Sequence, residues 1–287
     1  MFNGLVSPSV PFGNLEISLD KADFAIFGVP LDQRSSGRKA TINGPDLIRR
    51  ASLEIEEYSL RFDLDYNTLK ICDLGNIQVL KFDNALELVK KIVLKIFSEE
   101  KIPVMIGGEH TFTYSAISAL HPTHAVVFDA HLDLRDEYLG EKLCHATHFR
   151  RVLEELNDLE IMYIGFRGFC QEELDFIRKK DNIKVISSYN ISEDRDNCVK
   201  EIKEFLSNSK KVYVSIDLDV LDPAYMWEVS NPEPEGLTPK ELMDMFILFK
   251  DCEIIAADIM EYSPLFLWTP CSYLAAKVVF ELLASLT

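Results

Sequence analysis

The strongest constraint on this chain is an alternation that runs from one end to the other. Short apolar runs rich in β-branched residues give way to longer stretches whose apolar residues fall at helical spacing. The short runs read as strands at 24–29, 69–73, 104–106, 125–129, 161–165, 183–186, 212–217 and 254–260. Between them lie amphipathic segments such as 83–97, and Gly44-Pro45 opens a helix with proline pre-set for its first turn. Strands joined by helical crossovers demand a mainly parallel sheet covered on both faces, an α/β architecture of three layers. Periodicity leaves open whether such a sheet closes into a barrel. No repeat, low-complexity tract or Pro/Ser-rich linker divides the sequence, so residues 1–287 read as a single domain. The stretch 221–236 is longer than the usual connection and rich in proline, as functional loops often are.

Composition narrows the partners. The chain is 47% hydrophobic and 27% charged, the balance of a globular protein with a full core, and its formal net charge is −17. That charge argues against nucleic acid or an anionic membrane as partner, since both need a basic surface, and it favours a cationic small molecule. No apolar run reaches the roughly 18 residues of a membrane span, and the first twenty residues lack the basic start and apolar stretch of a secretory signal. The six cysteines, at 72, 144, 170, 198, 252 and 271, form no C-x-x-C pair, so neither a disulfide framework nor a thiolate zinc site is expected. A cytoplasmic location is the expectation.

Three polar motifs end three of the strands. Asp129-Ala-His131-Leu-Asp133 follows the run 125–128; Ser215-Ile-Asp217-Leu-Asp219 ends the strand 212–217; Gly107-Gly-Glu109-His110 ends 104–106. Residues at i, i+2 and i+4 of an extended chain share a face at spacings of about 6–7 Å, and carboxyl ends of parallel strands are where α/β sheets hold ligands. Alone, a D-x-D reads as a capped turn. Together, the three motifs gather His110, Asp129, His131, Asp133, Asp217 and Asp219, and desolvating so many ionisable groups is costly unless something binds them. The donors are mostly hard oxygens with no thiolate, which suits manganese better than structural zinc. Four carboxylates are too many for one catalytic ion but right for two ions about 3.5–4 Å apart, which can hold a hydroxide between them as nucleophile. The residue-level expectation is a two-metal hydrolase.

These same residues carry a family resemblance. GGEH at 107–110, DAHLD at 129–133 and SIDLDVLDPA at 215–224 are together similar to the ureohydrolase family of arginases and agmatinases, and the likeness runs from 28–52 through to 261–277. The resemblance implies an open, mainly parallel eight-stranded sheet between helical layers, and two Mn2+ ions. It places His110, Asp129, Asp133 and Asp217 on one ion and His131, Asp129, Asp217 and Asp219 on the other, with Asp129 and Asp217 bridging. It makes His145 a proton shuttle, Glu261 the guanidinium-binding carboxylate, and Asp133 also the residue that orients the nucleophile. The loop 134–147, with Arg135, Asp136 and Glu137 where arginases hold an amino-acid carboxylate, resembles the agmatinase version. The implied reaction is hydrolysis of agmatine to putrescine and urea. Alternatives are the same chemistry on N1-aminopropylagmatine, guanidinobutyrate or arginine, or a metal-binding member without activity. A trimer or hexamer of identical chains is the implied assembly.

Other residues read as structural. His121, His124 and His148 match no ligand role and are expected at the surface or satisfied in the core. Cys144 beside His145 faces away from it, as sequence neighbours do. Glu109 is expected to brace the site or start a helix, and Asp222 to brace its loop. The sequence departs from the family pattern at Tyr225–Asn231, at Ala146 and at Leu265–Trp268. There Trp227, Glu228 and Trp268 either reshape the mouth of the site or pack their loops.

Overall fold

The computed structural model describes residues 2, 4–78, 81–207 and 209–287. Nine strands form one sheet: β1 (Val6–Ser7), β2 (Phe24–Val29), β5 (Ile71–Ile77), β6 (Ile102–Gly107), β7 (His124–Phe128), β8 (Glu160–Phe166), β9 (Ile183–Ser187), β10 (Val212–Asp217) and β11 (Ile254–Met260). Two short strands, β3 (Tyr58–Ser59) and β4 (Leu64–Asp65), make a separate hairpin. The order across the sheet is β1-β5-β2-β6-β11-β10-β7-β8-β9, open at both ends. The eight strands expected from periodicity are all present and parallel, their ends shifted by up to four residues. The ninth, β1, is a two-residue antiparallel addition on the β5 edge, too short to carry any periodic signal.

Strand residues alternate between two cores. Phe24, Ile26, Val104, Ile106, Val214 and Ile216 face one apolar layer, together with α1 (Gly44–Ser52) and α9 (Pro270–Ser285). Ala25, Phe27, Met105, Val127 and Tyr213 face the other, with α2 (Phe82–Ser98), α3 (Thr113–Leu120) and α4 (His148–Glu155). Burial on both faces explains why these strands read as continuous apolar runs rather than alternating ones. The helices α5 (Gln171–Ile177), α6 (Ser188–Glu193), α7 (Arg195–Ser207) and α8 (Pro239–Met245) complete the crossovers. No helix among the described residues is long and apolar enough to cross a membrane.

The strand order fixes where chemistry can happen. The chain lays β7, β8 and β9 progressively outward, then returns so that β10 and β11 fill the gap between β7 and β6. The four central strands therefore point their carboxyl ends into one crevice, although they come from distant parts of the sequence, and such a reversal of strand order is where α/β sheets open a ligand site.

Candidate metal centre

Each of the four central strands delivers polar groups as it ends. After β6, Gly108 lets the chain pass tightly under the neighbouring loop: a Cβ there would lie 2.0 Å from the Leu31 carbonyl oxygen. His110 then enters the crevice, fully buried. After β7, Asp129 turns on itself, its Oδ1 accepting the His131 N–H at 2.6 Å. Asp217, ending β10, does the same for the Asp219 N–H at 2.9 Å, and Asp219 Oδ1 accepts from Ala130 N–H at 3.1 Å. Asp129 and Asp217 thus spend one oxygen on local backbone and Asp219 one on the neighbouring strand's exit, and each directs its other oxygen inward.

The inward atoms cluster tightly. His110 Nδ1 lies 3.2 Å from Asp129 Oδ2, 3.1 Å from Asp217 Oδ2 and 3.5 Å from Asp133 Oδ2. His131 Nδ1 lies 3.0 Å from Asp219 Oδ2 and 3.7 Å from Asp129 Oδ1. Three overlapping donor groups, His110/Asp129/Asp217, Asp129/His131/Asp219 and His110/Asp133/His148, are each compact enough to hold an ion. Buried His110 Nδ1 and Asp129 Oδ2 find no hydrogen-bond partner among the described residues. Buried polar atoms are seldom left so. Orphaned donors of this kind, oxygen-rich and without thiolate, fit a pair of divalent cations.

Electrostatics agrees. Burial alone would disfavour charge on His110, yet Asp129, Asp133 and Asp217 hold its pKa well above the ordinary imidazole value. Burial likewise opposes charge on His131, and Asp219 and Asp129 raise it despite that. Burial and the Asp129 charge push Asp133 up to about 7. The cluster thus holds more negative charge than its own imidazoles can balance, a demand that bound cations meet.

Around it lies a cavity of about 370 Å3 lined by His110, His131, Asp133, His145, Asp217, Asp219 and Glu261, with Asp129 buried beneath. Glu261 follows β11. Its Oε1 accepts the His110 backbone N–H at 2.7 Å, while buried Oε2 has no partner among the described residues. Burial pushes its pKa up to about 8, so the carboxylate gains from any cation that reaches it. Asp133 and Glu261 both occupy left-handed backbone, at φ 54° and 64°. Non-glycine residues held there cost of order 1–3 kcal/mol each and gather at functional sites.

His145 arrives on the loop before α4. Its Nδ1 lies 2.8 Å from the Arg34 carbonyl and so must carry the proton, which leaves Nε2 to accept from the Ser36 hydroxyl at 2.9 Å. Glu109 fastens this arrangement: its carboxylate accepts the backbone N–H of Gln33 and of Arg34, at 2.7 Å for Arg34, and so holds the loop that holds His145. Asp222 accepts from Ala224 and Gly236 N–H and braces its loop.

The structure decides several placements that the sequence left open. His148 is fully buried with its ring 4.5 Å from that of His110 and its Nδ1 3.5 Å from Asp133 Oδ2. Of the two places expected for it, surface or core, it takes the core beside the cluster; its Nδ1 also lies 2.8 Å from the His145 carbonyl, and its Nε2 is unpartnered among the described residues. Ser36 and Arg34 were not singled out in the sequence, because they approach from a loop 109 residues or more from their partner. Of Arg135, Asp136 and Glu137 only Arg135 lines the cavity; Asp136 is engaged by Lys142 and Arg151. Trp227, Glu228 and Trp268 do not line it either. Glu228 is buried and accepts from Tyr262 Oη, the Leu265 N–H and the Thr269 hydroxyl, so this carboxylate packs the divergent loops together.

Comparisons with known proteins converge on one family. A sequence model described as Arginase family matches residues 22–285. The N(1)-aminopropylagmatine ureohydrolase of Thermococcus kodakarensis is 37% identical over 266 residues, covering 91% of this chain and 90% of that protein. An agmatinase of Pyrococcus horikoshii is 34% identical, covering 92% of each. Among solved structures, the agmatine ureohydrolase of Thermoplasma volcanium superposes with a TM-score of 0.87 at 32% identity, covering 98% of this chain and 95% of that one.

Proposed function

The chain belongs to the arginase family, and from that premise we propose that it binds two Mn2+ ions and hydrolyses agmatine to putrescine and urea. The observation that carries this reading is the conjunction, in one cavity, of a cation-demanding carboxylate–imidazole cluster with a buried Glu261 carboxylate whose Oε2 is unpartnered among the described residues. His110, Asp129, Asp133 and Asp217 would hold one ion, and His131, Asp129, Asp217 and Asp219 the other. When bound, the ions supply activation of the attacking water and positive charge at the tetrahedral centre.

The chain's own groups do the rest. Glu261 receives the guanidinium, a planar donor that matches a carboxylate in geometry and charge. Asp133 accepts a hydrogen bond from the attacking water. His145, neutral and with its Nε2 lone pair toward the Ser36 hydroxyl, takes up a proton and delivers one to the leaving amine. At the rim Glu233 offers a carboxylate to the substrate's far ammonium group. The reading carries an assembly of identical chains, trimer or hexamer, to which the exposed apolar run Leu265, Phe266, Leu267 and Trp268 would contribute.

One observation favours a second substrate. Arg135 also lines the mouth, its guanidinium over the Tyr138 ring, and a cation there suits a carboxylate-bearing guanidino acid such as guanidinobutyrate. Urea release by the manganese-loaded protein from agmatine, guanidinobutyrate and arginine separates the two. Turnover of agmatine alone supports the main reading; preference for guanidinobutyrate transfers the role of the mouth to Arg135; no urea from any of them removes the assignment.

A further inference from the structure

The back of His110 is as specifically wired as its front. While Nδ1 faces Asp129 and Asp217, Nε2 lies 2.9 Å from Ser215 Oγ. Ser215 in turn gives its single hydroxyl proton to Asp258 Oδ1 at 2.6 Å. Asp258 is fully buried, and its other oxygen accepts hydroxyls from Tyr213 at 2.6 Å and Thr113 at 2.7 Å. A hydroxyl has one proton. With that proton committed to Asp258, Ser215 Oγ can only accept from His110, so His110 carries a hydrogen on Nε2 and Nδ1 is the nitrogen left to present a lone pair to an ion.

The sheet sets this up. Ser215 on β10 and Asp258 on β11 are direct partners in the parallel ladder, and Ser215 lies two residues before Asp217, on the same face. The strand that brings a ligand-type carboxylate to the cluster thus also brings the hydroxyl behind the imidazole. The neighbouring strand contributes Asp258 three residues before Glu261.

We infer that Ser215 and Asp258 form a positioning relay behind His110, fixing its tautomer and orientation and strengthening its hold on one of two metal ions. The inference rests on the metal reading above. A carboxylate that orients a ligand histidine through its distal N–H typically changes metal affinity by about 10- to 100-fold when removed. Here a hydroxyl stands between the two, and the carboxylate acts through it. Because the relay touches His110 and not His131, its loss weakens one ion and spares the other.

The test is Mn2+ titration of full-length protein, reading free Mn2+ and the coupled two-ion signal by electron paramagnetic resonance. Wild type is expected to bind two ions with a coupled signal. Ser215→Ala is expected to keep one ion at wild-type affinity and to lose about 10- to 100-fold on the other, replacing the coupled signal with that of an isolated ion at limiting metal. Asp258→Asn, which keeps the shape and removes the charge, shifts affinity the same way. Ser115→Ala is the control, an equally buried serine whose hydroxyl has no partner among the described residues; it should bind like wild type. Two ions bound with unchanged affinity by Ser215→Ala overturn the relay, as does an equal loss in Ser115→Ala. Failure of wild type to bind Mn2+ removes the metal reading itself, and the relay with it.

Discussion

The backbone N–H of His110 donates to Glu261 Oε1 at 2.7 Å, joining the segment that opens the metal cluster to the carboxylate that follows β11. One Glu261 oxygen is therefore structural and the other faces the cavity. Replacing it with glutamine keeps an acceptor for His110 and removes the charge offered to a guanidinium. Charge-assisted hydrogen bonds contribute about 1.5–3 kcal/mol, so Glu261→Gln is expected to lower kcat/KM for agmatine roughly 10- to 150-fold while bound manganese per chain stays constant. Loss of metal together with activity would instead make Glu261 a structural support of the cluster.

Asp217 belongs to one compact donor group and holds the N–H of Asp219, a member of another, so Asp217→Asn should abolish loading of both ions and turnover with them. Metal that binds only the folded chain stabilises it by about 2.7 kcal/mol at a hundredfold excess over Kd. Chelation should then lower the melting temperature of wild type by several degrees and leave Asp217→Asn unmoved. A metal-replete, active variant contradicts the ligand assignment.

Burial lowers the pKa of His145, and positive charge on His131 and His110 lowers it further; bound cations would act in that direction too. The proton-accepting form is neutral, so activity is retained down through neutrality and lost as pH falls through the lowered value. The acid limb of kcat should accordingly lie below the usual imidazole value of about 6.5, and His145→Asn should slow turnover and erase that limb. A limb at or above 6.5 that survives the substitution assigns it to another group.

Much of this site was legible because its residues crowd the ends of apolar strands, at 129–133 and 217–219. The shared face expected from extended spacing is not how they meet: β7 stops at Phe128, Asp129 and Asp217 turn onto the N–H of His131 and Asp219, and Asp133 is left-handed. What escaped was built from loops. Ser36 reaches His145 across 109 residues, and His148 matched no ligand role because nothing local shows that α4 begins against His110. Helix and strand cores were readable from apolar periodicity, whereas β1, with two residues, depends wholly on the edge it joins.

The divergent loops offer a contrast. Glu228 holds Tyr262, Leu265 and Thr269 together outside the cavity, so Glu228→Ala should destabilise the fold by about 1–3 kcal/mol for the buried groups left unpaired. Trp227→Ala and Trp268→Ala, at half-exposed positions, should leave KM for agmatine within about twofold, a surface-like response. A large KM change in either tryptophan variant would place these loops over the mouth during turnover.

The left-handed backbone at Asp133 sets the stability of the metal-free chain against its activity. Glycine relaxes such a conformation, so selection for stability without metal would drive this position away from a carboxylate. At Glu261, also left-handed, glycine would strand the buried His110 N–H that Oε1 accepts, and the gain is cancelled. Variants screened for thermal tolerance in the presence of chelator should be checked first at Asp133, where gain in one property is loss of the other.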